Sequence, residues 1–330
     1  MMMDVFDNSG ISRSSYSELG CGTAQIVASP GAVAQGRPGG EGRPRVSVIV
    51  LAYNEEANLP DCLASLAHLD CEVLVVDSGS TDATREIARQ AGAAVCEHPF
   101  ETYGAQRNWA QRHLPLAADW VLHLDSDERL TPELVAEING ILLNPPPDVD
   151  GFLFRKRTFF MGRWIRHGGH YPSYHLRLFR KDRGGCEERL YDQHYVVRGK
   201  VRKLEHDYVD VLTSDLSVWS ARHVRWAELE AREIAEGYDR EGRVKASPFG
   251  NPIARRRWLR EGLYWKLPLF LRAFLYWFYR YFLRLGFLDG KEGLIFHFLQ
   301  GFWFRFLIDA KLLEMEKRAA EPPATAASRQ

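Results

Sequence analysis

The sequence is short of several things that would each have pointed to a class. Its five cysteines (Cys21, Cys62, Cys71, Cys96, Cys186) are odd in number and form no CxxC pair. That argues against a disulfide framework or a zinc site and fits a reducing cytoplasm. Formal net charge is zero, so there is no overall pull toward nucleic acid and none is expected as a partner. The N-terminus has no basic start followed by an apolar run, hence no signal peptide is expected. No internal repeat is present, and no uncharged stretch reaches the roughly 20 residues of a bilayer span. What is there is an ordinary 45% hydrophobic fraction over 330 residues, enough for one large or two smaller domains.

Residues 1 to 44 are rich in Gly, Ser, Pro and Ala and lack a sustained apolar period, so a disordered leader is expected. Order begins at Arg45 to Ala52, a β-branched run suited to a buried parallel strand, followed by Tyr53-Asn54-Glu55-Glu56. Leu59, Cys62, Leu63 and Leu66 recur at helical spacing, with Asn58 as cap and Pro60 in the first turn. Glu72 to Asp77 forms a second strand running into Ser78-Gly79-Ser80-Thr81-Asp82, then a helix stopped by Gly92. Ala93 to Glu97 is a third strand, Gly104 to His113 a helix, Trp120 to Asp125 a fourth strand, and Thr131 opens a helix reaching Leu143. Strand alternating with helix four times implies a parallel, doubly wound sheet. From Gly151 the pattern changes to strands at 151–154 and 175–179 among Arg-, His- and aromatic-rich loops, then a polar helix over 215–242.

Trp120-Val121-Leu122-His123-Leu124-Asp125-Ser126-Asp127 ends in two carboxylates one residue apart. Side chains at i and i+2 of a strand point the same way. Asp125 and Asp127 can therefore converge at the strand's C-terminal end, where open α/β sheets bind ligands. Two hard oxygen donors there suit Mg²⁺ or Mn²⁺ bridging to phosphate. The bland alternative is an acidic loop after a strand.

The stretches VSVIVLAYNEEANLPDCLASL, VLVVDSGSTDATREIA, YGAQRNWA, WVLHLDSDERLTPEL and RWIRHGGHYPSYHLRLFRK, in this order over residues 45–210, resemble inverting family 2 glycosyltransferases of the GT-A fold. The nearest subgroup is that of bacterial lipopolysaccharide-core and exopolysaccharide transferases. The resemblance implies an α/β fold with a Rossmann-like, mostly parallel sheet, a UDP-sugar donor, a lipid-linked or lipopolysaccharide acceptor, and Mg²⁺ or Mn²⁺. It assigns Ala52, Tyr53 and Glu55 to the nucleotide, and Asp77 to the uracil with Ser78 and Gly79 beside it. Gln106 and Arg107 would face the nucleotide-sugar, and Asp125 and Asp127 the metal, Asp127 the more directly. Arg166, His167, Gly168, Tyr171 and Arg177 fall on an acceptor or phosphate wall. Aligning on Gly199-Lys200-Val201 puts Asp192 and Gln193 where the subgroup carries His and Glu, so the base is open: Asp192 first, then Glu188, with His194 an outside choice. Asp77 as a mere helix cap and Asp192 as a salt-bridge partner are the plain alternatives.

Residues 251–318 hold thirteen Lys/Arg against six Asp/Glu, a net of +7, interleaved with aromatic runs such as LYWKLPLFLRAFLYWFYRYFLRLGFL. On a helical wheel Lys266, Arg280 and Arg284 fall together. Each central Arg would cost about 2.5–3.5 kcal/mol inside a bilayer. Amphipathic helices lying in the headgroup layer, Arg and Lys toward an anionic membrane surface, are therefore expected at the cytoplasmic face of a bacterial inner membrane. A hairpin packed on the catalytic domain or in a homo-oligomer is the alternative. The expected division is a disordered leader (1–44), a GT-A domain (45–245, with a nucleotide half 45–150 and an acceptor half 151–214), a membrane-associating helical region (246–318) and a disordered tail (319–330). Two rival functions remain on sequence grounds: a nucleotidyltransferase on a similar sheet, and a non-catalytic assembly subunit.

Overall fold

The computed structural model describes residues 26–27, 45–213, 215–237 and 243–320. The expected leader, apart from 26–27, the last residues of the polar helix and the tail beyond 320 lie outside these. The elements in order are β1 (Ile26–Val27), β2 (Val46–Ala52), α1 (Leu59–Ala64), β3 (Cys71–Asp77), α2 (Thr84–Gln90), β4 (Ala94–Glu97), α3 (Tyr103–His113), β5 (Trp120–Asp125), β6 (Glu128–Leu130) and α4 (Pro132–Leu143). There follow β7 (Gly151–Phe160), β8 (Arg163–Trp164), β9 (Ser173–Arg180), β10 (Gly184–Cys186), β11 (Tyr195–Val197) and β12 (Val201–Leu212). The C-terminal part holds α5 (Leu216–Ala235), α6 (Pro252–Gly262), α7 (Leu271–Phe278), α8 (Gly290–Phe296) and α9 (Phe304–Ala320).

The main sheet runs β1-β4-β3-β2-β5-β9-β7-β12-β6, with β8 beside β7. β4, β3, β2 and β5 are mutually parallel, as their unbroken apolar runs and helical crossovers require. The strands from Gly151 onward make the sheet mixed: β9 is antiparallel to both β5 and β7, while β12 is parallel to β7. The result is a mixed α/β architecture whose first half is a parallel, helix-connected sheet. One face packs Leu59, Cys62, Leu134 and Ile138 against Val48, Val50 and Leu122; the other packs Ala110 and Leu114 against Ile49, Val121 and Phe179. Buried strands on both faces explain why β2 and β5 read as continuous hydrophobic runs.

Helix starts follow the sequence closely. Thr102 caps α3 by accepting from the Ala105 N–H, and Thr131 caps α4 by accepting from Leu134. Asn58 departs from expectation. Its side chain donates to Glu55 Oε2 (2.7 Å) and Thr213 Oγ1 (2.9 Å) rather than capping α1, so it ties the loop after β2 to the end of β12.

The basic tail corrects a second expectation. Arg257 is buried on Glu187, Arg272 on Asp309, and Arg280 donates to the Gly168 carbonyl (2.8 Å). These cations face protein, whereas Lys266 and Arg284 stay exposed. The aromatic side chains are what the region turns outward, Phe274, Phe278, Phe282 and Phe287 among them. α5 and α9 join through Ala227, Ala231, Phe304, Ile308 and Leu312. Among the described residues no helix is long and apolar enough to cross a membrane.

Candidate active site

The carboxyl ends of β3, β2 and β5 lie side by side, with Ala52 opposite Asp77 and Leu51 opposite Asp125. Two interstrand spacings put Asp77 and Asp125 about 10 Å apart in backbone position, on one crevice edge. The loops after β2 and β3 are fastened together. Asn54 N–H donates to Ser80 Oγ (2.9 Å), Glu55 N–H to Thr84 Oγ1 (2.8 Å), and Thr81 N–H to Asn54 Oδ1 (2.8 Å).

Asp77 is fully buried. Its Oδ1 accepts from the N–H groups of Gly79 (3.1 Å) and Ser80 (3.0 Å), and its Oδ2 from the Ser80 hydroxyl. The carboxylate thus holds the turn in shape. Gly79 has φ +91°, a conformation that favours glycine. The side chain of this turn left half-exposed is Ser78, whose Oγ accepts from Gln106 Nε2 (3.2 Å). Gln106 is fixed in turn by His98, whose ring stacks on Trp109 at 3.7 Å. Tyr53 is exposed at the crevice mouth.

At the end of β5 the charges interlock. Arg107 from α3 donates to Asp125 Oδ1 (2.7 Å), and Arg177 from β9 reaches Asp125 Oδ2 (3.3 Å) and Glu128. β6 pairs with β12 so that Glu128 stands opposite Asp210, which Lys156 pairs at 2.7 Å. Four carboxylates (Asp125, Asp127, Glu128, Asp210) thus meet three cations (Arg107, Arg177, Lys156). Burial works to raise the Asp125 pKa, but Arg107 and Arg177 outweigh it and hold that carboxyl well below its usual range. Burial, with Asp125 and Asp210, pushes Glu128 up to about 7 despite Arg177. Asp127 has no cation within ion-pair distance among the described residues. Burial first, then Asp210, Asp125, Glu128 and Glu55, push its carboxyl well up.

That surplus negative charge is the observation that fits a divalent cation. No three His, Cys, Asp or Glu side chains form a complete cage among the described residues. Mg²⁺-type sites with one or two carboxylates leave their other positions to substrate phosphates and water, so Asp127 and Asp125 suffice as the protein's share.

The acceptor-side candidates separate. Of Arg166, His167, Gly168, Tyr171 and Arg177, it is Arg177 that bonds to the carboxylate cluster. Tyr171 donates to Asp207 (3.1 Å), which also pairs Arg155 and Arg157. Arg166 is exposed over the Trp164 ring (5.3 Å). His167 is held by Asp289 through both its ring (2.6 Å) and its N–H (2.8 Å), and Gly168 N–H donates to the Arg284 carbonyl (2.9 Å). This loop is fastened to the C-terminal helices. Gly168 has φ +67°, and a Cβ there would lie 2.2 Å from the His297 ring. Gly168→Ala is therefore expected to lower stability by about 1–3 kcal/mol, read as a lower Tm in thermal unfolding.

Asp192 pairs with Arg260 (2.7 Å) and more distantly with Arg189 (3.9 Å) and His194 (4.0 Å), in a backbone conformation with φ +54°. Burial works to raise its pKa; His194, Arg260 and Arg189 outweigh it and hold it far below the usual carboxylate range. Glu188 is exposed.

The profile of glycosyl transferase family 2 matches residues 47–198, which includes the crevice, both Asp125 and Asp127, and the Asp192 segment. Residues 47–198 are a glycosyl transferase family 2 domain. An uncharacterized glycosyltransferase of Rickettsia bellii is 26% identical over 282 residues, 82% of this chain and 87% of that protein. The lipopolysaccharide core biosynthesis glycosyltransferase LpsC of Rhizobium meliloti is 29% identical over 144 residues, 42% of this chain and 52% of that one. Other Rickettsia relatives, at 36% identity over 104 residues, are spanned over only about a third of their length. Among solved structures, the mannosyltransferase PcManGT from Pyrobaculum calidifontis in complex with GDP-Man and Mn²⁺ aligns at 18% identity, over 83% of this chain and 88% of that one, with a TM-score of 0.45.

The family 2 crevice has members that sequence reasoning missed. Glu128, Lys156 and Asp210 complete the charge cluster but come from segments that β-pairing alone brings together. Arg222, on the helix read only as polar, opposes the upward pKa shifts that burial imposes on Glu55 and Tyr103.

Proposed function

We propose that this chain is a metal-dependent inverting glycosyltransferase, moving a hexose from a UDP-sugar to a lipid-linked or lipopolysaccharide acceptor at the cytoplasmic membrane face. The single observation that carries the donor reading is the uncompensated Asp127 carboxylate at the tip of β5, beside a polar turn suited to a base. A cation bound there supplies Lewis-acid neutralisation of the diphosphate as it leaves. Arg107 and Arg177 fix Asp125 so that its oxygens keep one orientation, which is preorganisation of the kind that lowers the barrier. Ser78 and Gln106 offer hydrogen bonds at the nucleoside end, and Arg222 adds positive charge that acts on Glu55 and Tyr103. The acceptor oxygen attacks the anomeric carbon directly, so no covalent intermediate on the protein is needed. The acceptor class is supported by what the Rhizobium meliloti relative is named for.

A donor screen tests this reading. With Mn²⁺, UDP-glucose, UDP-galactose or UDP-N-acetylglucosamine should release UDP slowly to water, and GDP-mannose should do so at least about tenfold more slowly. Equal turnover of GDP-mannose would sink the uridine preference, and pyrophosphate release from a nucleoside triphosphate would favour a nucleotidyltransferase.

Membrane association is supported by the outward aromatic face of α7 and the turns after it, where Phe274, Phe278, Phe282 and Phe287 are all exposed, since clustered exposed apolar side chains mark interaction surfaces. With Arg257, Arg272 and Arg280 turned inward, apolar insertion supplies most of the affinity and lipid charge a smaller part. In liposome flotation, Phe278→Ser with Phe282→Ser should cut bound protein about tenfold or more, while 0.5 M salt should cut it less. Retained flotation of the double variant, or a monomer-to-dimer change in its place, would assign this face to another use.

A further inference from the structure

The acceptor hydroxyl must lose a proton as it attacks, and the carboxylate expected to take it is poorly suited. Asp192 is pinned by Arg260 at 2.7 Å, with Arg189 behind, so a carboxylate already neutralised by guanidinium groups has little affinity for a further proton. Two residues on stands His194. Its ring is 20% exposed, its Nε2 lies 4.0 Å from Asp192 Oδ1, and neither ring nitrogen hydrogen-bonds to protein among the described residues. Its backbone is fixed on both sides, His194 N–H donating to Glu187 Oε2 and Glu187 N–H to the His194 carbonyl, each at 2.9 Å. A fixed, half-buried imidazole whose ring makes no hydrogen bond to protein among the described residues has unspent hydrogen-bonding capacity.

Its position also fits. The His194 ring meets the His175 ring edge-on at 6.3 Å. His175 lies against the Tyr208 ring (6.2 Å), as does the Arg177 guanidinium two residues on in β9 (5.5 Å), and Arg177 is bonded to Asp125. His194 is therefore linked to the carboxylate cluster by a chain of contacts, through His175 to the Tyr208 ring and from there to Arg177 and Asp125. Asp192 holds φ +54°, and backbone strain of this kind in a non-glycine residue collects at functional sites.

We propose that His194 is the base that receives the acceptor proton, with Asp192 as its positioning residue and Arg260 fixing Asp192. This deepens the donor reading above and rests on it. The acceptor O–H bond breaks, its proton going to a ring nitrogen of His194. The oxygen's electron pair forms the new bond to the anomeric carbon. The bond from that carbon to the diphosphate breaks, and its electron pair leaves with UDP. The imidazolium then returns its proton to solvent. The groups that face the ring are Asp192, Glu187 and His175 together with Arg257 and Arg260. Burial lowers the His194 pKa and the two arginines add to this, against Asp192 and Glu187, so the ring is neutral and able to accept a proton at neutral pH.

The test uses the full chain with Mn²⁺ and the most rapidly hydrolysed of UDP-glucose, UDP-galactose and UDP-N-acetylglucosamine, water serving as acceptor. His194→Gln should lower UDP release about 10²–10⁴-fold and remove the acid limb of the rate–pH profile, while the Kd for UDP stays within about twofold of wild type. Imidazole in the buffer should restore part of the rate to His194→Ala. Asp192→Asn should shift the acid limb to lower pH, because Asp192 raises the His194 pKa, and should slow release less than His194→Gln does. A His194→Gln enzyme with wild-type rate and pH profile overturns the assignment. So does an Asp192→Asn enzyme that loses the acid limb while His194→Gln keeps it. Wild-type protein that binds no UDP with Mn²⁺ overturns the donor reading first, and this inference with it.

Discussion

Asp127→Asn is expected to abolish Mn²⁺-dependent UDP binding and, in the same protein without ligand, to raise the Tm. The two effects come from one cause. Among the described residues Arg107, Arg177 and Lys156 pair with Asp125, Glu128 and Asp210 and none pairs with Asp127, so an ionised Asp127 is repelled by its neighbours. An isosteric amide removes that repulsion, and each kcal/mol relieved is worth about 2–4 °C in a domain of this size. The same change removes the ligand that bridges to the diphosphate, so UDP affinity in Mn²⁺ should fall about 100-fold or more, to the level seen in EDTA. Calorimetry for UDP and a thermal melt read both. A variant that loses stability and keeps its UDP affinity would make Asp127 a structural residue.

The second large effect belongs to Arg177. It is buried, bonds Glu128 and reaches Asp125 at 3.3 Å. Arg177→Met strands two carboxylates with one cation fewer, and breaking a buried pair from one side costs about 3–5 kcal/mol. The Tm should fall by about 6–20 °C. Adding Glu128→Gln removes one stranded charge and should recover part of the loss. If the double variant is as unstable as the sum of the two single changes, the pair is not coupled and the charge account of the crevice is mistaken.

The nucleotide half could be read from sequence because its signals are local. β2, β3 and β5 are short apolar runs ending in polar turns, and Thr102 and Thr131 announce α3 and α4. The DxD pair follows from the two-residue strand period. What could not be read depends on pairing across long separations. Asp210 meets Glu128 only because β12 returns to β6, and Arg177 meets Asp125 only because β9 inserts beside β5. Asp77 illustrates a subtler limit: a carboxylate after a strand reads alike whether it faces a ligand or its own turn, and its bonds to Gly79 and Ser80 come into view only with the structure. The tail was misread at Arg257, Arg272 and Arg280 for a similar reason. Basic residues among aromatics look lipid-facing until their partners Glu187, Asp309 and the Gly168 carbonyl are seen.

The central claim is that a uridine diphosphate sits across the tips of β3, β2 and β5 and is held through a cation on Asp127. Titrating UDP into the protein in Mn²⁺ and again in EDTA tests it most directly. The account predicts at least about tenfold tighter binding with Mn²⁺, and that this gain disappears in Asp127→Asn. Equal affinity in the two buffers, or a metal-dependent gain that survives the substitution, would contradict it.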